Sequence, residues 1–87
     1  MTLANQLGAR GITVNAVAQG ATRTVTNGAA FEAPGLAELI AGTTALARPG
    51  GPDDVADVVA FLASDTARWT TGQVIDASGG LFLGTRV

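Results

Sequence analysis

Apolar and polar positions follow two different rhythms along this chain. Residues 12–17, Ile-Thr-Val-Asn-Ala-Val, set Ile12, Val14 and Ala16 on one side of an extended backbone and Thr13, Asn15 and Val17 on the other. Both sides are mostly apolar, which predicts a strand of a parallel sheet covered by helices on its two faces. Residues 73–77 predict a second short strand, ended by Gly79 and Gly80. Residues 52–64 carry the helical period instead. Val55, Val58, Val59 and Leu62 form one stripe, widened by Ala56, Ala60 and Ala63. Pro52 suits the first helical position, where its missing N–H would be unpaired anyway. Asp53 and Asp54 set negative charge against the positive end of the helix dipole. Phe61 falls outside the stripe, on the arc between Asp54 and Asp57, and fits a solitary exposed residue and a subunit contact equally well.

Weaker signals complete the order. Residues 2–8 predict the end of a helix, with Leu3 and Leu7 on one face and Gly8 or Gly11 as the stop. Residues 21–35, rich in Thr and containing Gly28, Pro34 and Gly35, predict a mobile loop with little secondary structure of its own. A short helix is expected over 36–41, where Leu36, Leu39 and Ile40 share helical spacing, and a turn over 48–51. The sum is helix, strand, loop, helix, strand. Two consecutive strands joined by a helical crossover imply a parallel, right-handed βαβ unit. Two strands alone make a marginal sheet.

Composition narrows the chemistry. With 87 residues the chain forms a single domain at most, over 1–87. Only 14% of the residues are charged, little for a small soluble monomer, so much of the surface is expected to be covered by further chain or by other subunits. The net charge is −2 and all five basic residues are scattered Arg, which argues against nucleic acid as a partner. No apolar run has the length of a membrane span, the first ten residues lack the regions of a secretory signal, and the expected location is cytoplasmic. His, Lys, Tyr and Cys are all absent, so no side chain of this chain titrates near neutrality without a large shift, and no thiolate metal site is possible. No catalytic residue and no metal ligand is assigned.

Four pieces then acquire meaning in their order. LANQLGARGITVNAVAQG is a helix end and a strand. GATRT is a glycine turn followed by two threonines. ARPGGPDDVADVVAFLASDTARWTTGQ contains an Arg-x-Gly-x-Pro helix start and a Thr-Gly turn, and VIDASGG is a strand with a glycine pair. Together they resemble the C-terminal third of a short-chain dehydrogenase/reductase. The resemblance implies an α/β fold: a C-terminal piece of a Rossmann-type, doubly wound parallel sheet. It also implies hydride transfer between NAD or NADP and an alcohol or carbonyl substrate. Four positions carry over as cofactor-binding. Gln19 and Gly20 match the family's Pro-Gly, which packs against the nicotinamide. Thr22 matches the position whose backbone meets the carboxamide. Thr24 matches a hydroxyl that bonds the carboxamide or pyrophosphate. Gln19 is a departure, since proline would fix the turn's φ and remove a donor. Thr22 stands where many relatives are aliphatic.

The family's Tyr-x-x-x-Lys pair and Gly-rich phosphate loop have no counterpart here, so the chain resembles a truncated product that is inactive alone. By the same resemblance, residues 25–46 would form a substrate lid, while the 52–64 helix and the apolar tail would form a homo-oligomer surface. Asn15 is expected to be buried and structural, tying its strand to a neighbouring loop. Arg48 is expected to pair with a carboxylate or cap the preceding segment, and Trp69 to pack. An alternative reading is a non-catalytic interaction module that associates through the 52–64 helix, the second strand and the tail.

Overall fold

The computed structural model describes residues 2–24 and 26–82. Its elements run α1 (Thr2–Leu7), β1 (Ala16–Gln19), α2 (Leu36–Thr43), α3 (Pro52–Leu62) and β2 (Val74–Ala77). The two strands are parallel neighbours, with Ala16 opposite Val74 and Gln19 opposite Ala77. Parallel strands need a long crossover, and here it contains both α2 and α3. Of these, α3 lies on the sheet, in contact with both strands.

The start of α3 shows why its sequence folds as it does. Gly51 is extended, Pro52 opens the helix, and Asp54 Oδ2 accepts the Gly51 N–H at 2.7 Å. One of the helix's unpaired N-terminal donors is thereby satisfied. The Arg48 guanidinium then grips both Asp54 oxygens, at 2.8 and 3.0 Å, the two-pronged geometry that suits Arg to a carboxylate. The carboxylate expected for Arg48 is therefore Asp54. The helix stops at Leu62 rather than Ser64, because the Ser64 hydroxyl and N–H both turn back onto the Phe61 carbonyl.

Strand β1 is displaced from the predicted 12–17. Only Ala16 and Val17 of that stretch are paired strand, and the strand continues through Gln19. Residues 12–15 run beside the turn that precedes β2, where side chains take over part of the ladder's bonding. Val14 N–H donates to Thr71 Oγ1, Gly72 N–H donates to the Val14 carbonyl, and Asn15 bridges the Thr70 carbonyl and the Gln73 N–H. Asn15 thus has the tying role expected of it, half-buried rather than buried. The second strand begins one residue later than predicted, because the Gln73 N–H is taken by Asn15.

Other expectations shift in informative ways. The first helix buries Ala4, and not the Leu3–Leu7 face, which is exposed at Leu3. It continues as a 3₁₀ turn over Gly8–Arg10 that stops at Gly11, whose φ of 73° favours glycine. The segment over 21–35 contains a 3₁₀ turn at Ala30–Glu32, and α2 runs two residues past its predicted end. The stretch predicted as a turn over 48–51 includes Gly50, paired in a parallel bridge with Thr22. Trp69 does not pack: it is 97% exposed, while Ala67, two residues earlier, takes the buried place at 2%. The tail runs partly outside the described residues; within them, Leu81 bridges Thr44 and Phe82 is exposed.

The core is slight. Ala4, Ile40 and Ala67 are the buried apolar residues among those described, and Ile40 is the one large side chain of the three. The accessible surface is 6230 Å², against about 4,700 Å² for a compact monomer of this mass. The radius of gyration is 15.9 Å, against about 12 Å for a compact domain of this length. The apolar stripe of α3 does face β1, as its spacing requires. An open groove of about 470 Å³ nevertheless separates Val55, Val59 and Leu62 from Thr13, Asn15 and Val17.

Candidate functional site

Open parallel sheets bind ligands beyond the carboxyl ends of their strands. In this chain that edge is formed by Gln19-Gly20 after β1 and Ser78-Gly79 after β2, brought side by side by the Gln19–Ala77 register. Gly20 is fixed by the crossing of these two exits. A Cβ on Gly20 would lie 2.8 Å from Ser78 Cβ and 3.0 Å from Ser78 Cα, closer than packed atoms tolerate. Gly20 faces the neighbouring strand exit, so glycine is required here for packing whatever ligand the loop meets. Gln19 ends β1 with an exposed side chain.

From Gly20 the chain turns onto Gly50. Gly50 N–H donates to the Ala21 carbonyl at 2.8 Å, and Arg23 N–H donates to the Gly50 carbonyl at 2.7 Å. This parallel bridge leaves the N–H and C=O of Thr22 directed away from Gly50. The Thr22 side chain is turned inward, 7% exposed, and its hydroxyl donates to the Gly20 carbonyl at 3.3 Å. It therefore serves the loop itself. Gly50 is next to the Arg48–Asp54 grip, so the glycine that clamps the loop is itself held at the start of α3. Arg48 holds the Asp54 carboxyl well below the usual carboxylate range, with the Gly51 N–H acting in the same direction, and Asp54 in turn raises Arg48.

Thr24 follows, half-buried, at the rim of a groove of about 560 Å³ lined by Arg23, Thr24, Gly28 and the Pro49–Pro52 stretch. Arg23 is also 3.5 Å from Glu32, an exposed ion pair across the loop. Of the four residues singled out in the sequence, the structure gathers Gly20, Thr22 and Thr24 into one pinned segment and leaves Gln19 on the strand end. It adds one residue that spacing did not single out. Asn27 contacts both threonines, donating from Nδ2 to the Thr22 carbonyl at 3.0 Å and accepting the Thr24 N–H at 2.6 Å. A Thr-x-x-Asn spacing, which lets side chains bond back to nearby backbone, was the available signal. Among the described residues no group of three or more His, Cys, Asp or Glu could hold a metal ion. No helix among them is long and apolar enough to cross a membrane.

Comparison with known proteins places this arrangement. A family profile described as enoyl-(acyl carrier protein) reductase matches residues 1–82. An uncharacterized oxidoreductase of Methylorubrum extorquens is 52% identical over 82 residues, covering 91% of this chain and 32% of its own length. Among solved structures, the promiscuous reductase LugOII catalyses keto-reduction at C1 during lugdunomycin biosynthesis. It matches with a TM-score of 0.86 at 51% identity, covering 95% of this chain and 32% of its own. The angucycline C-6 ketoreductase LanV, with bound NADP, matches with a TM-score of 0.83 at 46% identity over the same shares, 95% and 32%. The chain thus spans about a third of the length of the relatives it matches. Near-complete coverage by the profile, high identity and close superposition agree: the chain belongs to the short-chain dehydrogenase/reductase family, the NAD(P)-dependent oxidoreductases of Rossmann-type α/β fold.

Proposed function

We propose that this chain supplies the nicotinamide-side loop of an NAD(P)-dependent reductase that moves hydride between the cofactor and an alcohol or carbonyl substrate. The observation that carries the reading is the pinned segment Gly20–Thr24 at the carboxyl edge of two parallel strands, clamped by Gly50 on one side and Asn27 on the other. The keto-reductions carried out by LugOII and LanV support a carbonyl substrate, and the NADP in LanV supports the cofactor.

The residues present fit one end of such a cofactor. Donors at Thr22 N–H and Thr24 O–H suit a carboxamide or phosphate oxygen, and Arg23 adds positive charge beside the groove. Bound there, NAD(P) would supply the hydride. The chain's own residues would do the rest of what this segment can do. Thr22 and Thr24 orient one end of the ligand, and the extended 21–23 backbone, held by Gly50, keeps that orientation rigid. Residues 25–46 would border the substrate, and α3 with the tail would meet a second copy.

The chain contains no His, Lys, Tyr or Cys, and none of its seven Asp and Glu lines the groove beside Thr24, so no general acid stands there to move the proton that a carbonyl reduction needs. The proton donor is therefore to come from outside this stretch of sequence, and the family's Tyr-x-x-x-Lys pair is the candidate. The test mixes the pure chain with NADPH and a ketone, with and without a separately produced segment of a relative that carries that pair. No NADPH oxidation is expected from the chain alone, and turnover is expected from the mixture. Turnover by the pure chain would sink the reading. A stable but inactive complex would favour the interaction module, for which the exposed Trp69 and the slight core speak.

A further inference from the structure

Asn27 uses its side chain and its own N–H on Thr22 and Thr24, while its carbonyl accepts the Ala30 N–H. Its Nδ2 donates to the Thr22 carbonyl at 3.0 Å, its Oδ1 accepts the Thr24 N–H at 2.6 Å, and its own N–H donates to Thr24 Oγ1 at 3.3 Å. A primary amide offers a donor and an acceptor side by side on one carbon. Aspartate at this position would keep the acceptor and lose the donor, and alanine would lose both.

The third bond has a consequence for Thr24. A hydroxyl has one proton and two lone pairs. With one lone pair already accepting the Asn27 N–H, the proton is left for an acceptor elsewhere, and Thr24 lines the groove beside Arg23. A donor hydroxyl and a guanidinium on one groove select a ligand oxygen, either an amide or a phosphate oxygen. The Thr22 carbonyl, already engaged by Asn27, is less available to a ligand donor.

We propose that Asn27 is the positioning residue of this loop, fixing Thr22 and Thr24 so that the Thr24 hydroxyl acts as a hydrogen-bond donor into the groove. The ligand side of this proposal rests on the reading of the loop as a cofactor segment; the ordering of the loop by Asn27 does not. Asn27 lies three residues beyond Thr24, and its role is read from these hydrogen bonds.

The experiment is amide hydrogen exchange, followed by NMR on the full 87-residue chain, unmodified and as Asn27→Ala and Asn27→Asp. The Thr24 amide of Asn27→Ala is expected to exchange about tenfold faster, as the loss of one ordinary hydrogen bond implies. The Ala16 and Ala63 amides, which bond Gln73 and Val59, are expected to keep their rates. Asn27→Asp restores the acceptor and with it the slow exchange at Thr24. Three results would overturn the proposal: an unchanged Thr24 rate in Asn27→Ala, a Thr24 amide already fast in the unmodified chain, or an Asn27→Asp that behaves as Asn27→Ala. Should Asn27→Ala also speed Ala16 and Ala63, Asn27→Asp decides alone, by keeping or losing slow exchange at Thr24.

NADPH titration of the same samples separates the two readings. The resonances of residues 20–24 are expected to shift in the unmodified chain, with affinity about tenfold weaker in Asn27→Ala. Equal affinities would overturn the ligand-directing role. Residues 20–24 that ignore NADPH in the unmodified chain would overturn the cofactor reading, while the exchange rates still decide whether Asn27 orders the loop.

Discussion

The loops at the carboxyl edge of the sheet and the surfaces away from it are held by different means. At the edge, described residues of the two loops form a net of short polar bonds: Gly50 with Ala21 and Arg23, Asn27 with Thr22 and Thr24, Arg48 and Gly51 with Asp54. Away from it, apolar groups face solvent. Trp69 and Ile12 stand exposed near the turn before β2, and the stripe of α3 is incompletely covered, with Val59 49% exposed. The difference separates two kinds of order. Apart from the Gly50 bonds, the edge bonds join near neighbours in sequence, satisfy themselves locally and need little surrounding chain. Apolar burial needs area, and a chain with so slight a core has little area to give. The pinned edge can therefore hold its shape where the apolar faces call for a partner surface.

Substitutions at the two regions should separate accordingly. The largest effect is expected at the strand exits. Gly20→Ala puts a methyl 2.8 Å from Ser78 Cβ, and such overpacking costs about 1–3 kcal/mol. A lowered urea midpoint would register it, and adding Ser78→Gly should restore part of the loss. An unchanged midpoint would mean that the exits are loose, and the contrast between edge and open faces would fail.

A smaller effect belongs to the Arg48–Asp54 grip, and its sign follows from Asp54. The folded carboxyl titrates below its ordinary value. The grip therefore contributes stability that is fully present above the ordinary carboxylate pKa of about 4. That stability is lost as pH falls below this value toward the folded one. Asp54→Asn should remove this part of the acid dependence and leave the rest. The pair is exposed, so salt should weaken it. Thermal melts at pH 3 to 6, with and without added salt, would show both trends, and identical pH profiles for the two chains would count against the grip.

The smallest effect is expected on the open side. Trp69→Ser should change the stability of the chain alone by no more than about 0.5 kcal/mol, as for an exposed residue without partners. A clear loss in the same urea titration would show that the indole is covered in solution. The contrast would then sharpen into a map of where the covering surface sits.

The sequence was most legible where one residue type serves one local purpose. Pro52 and Asp54 marked the start of α3, and Asn15 announced itself as a polar group in an apolar strand that had to find partners. It was least legible where the outcome depended on a distant neighbour. Residues 12–15 have the alternation of a strand, yet the Thr70–Gln73 turn, more than fifty residues away, meets them with a mixture of side-chain and backbone bonds. Trp69 has the composition of a packing residue, but Ala67 holds the buried position beside it.

The sequence by itself therefore determined the order of elements, the parallel pairing of β1 and β2 and the family, because periodicity, helix starts and glycine turns are local properties repeated over the whole chain. Only the tertiary structure decided what the candidate residues do. Gly20 is glycine because Ser78 crosses it, Thr22 is set by the Gly50 bonds to its two neighbours, and residues 14–15 are met by the Thr70–Gln73 turn. The physical reason is range. A turn's preference is set by its own few residues, whereas a close approach or a converging set of hydrogen bonds exists only once separate stretches of chain have met.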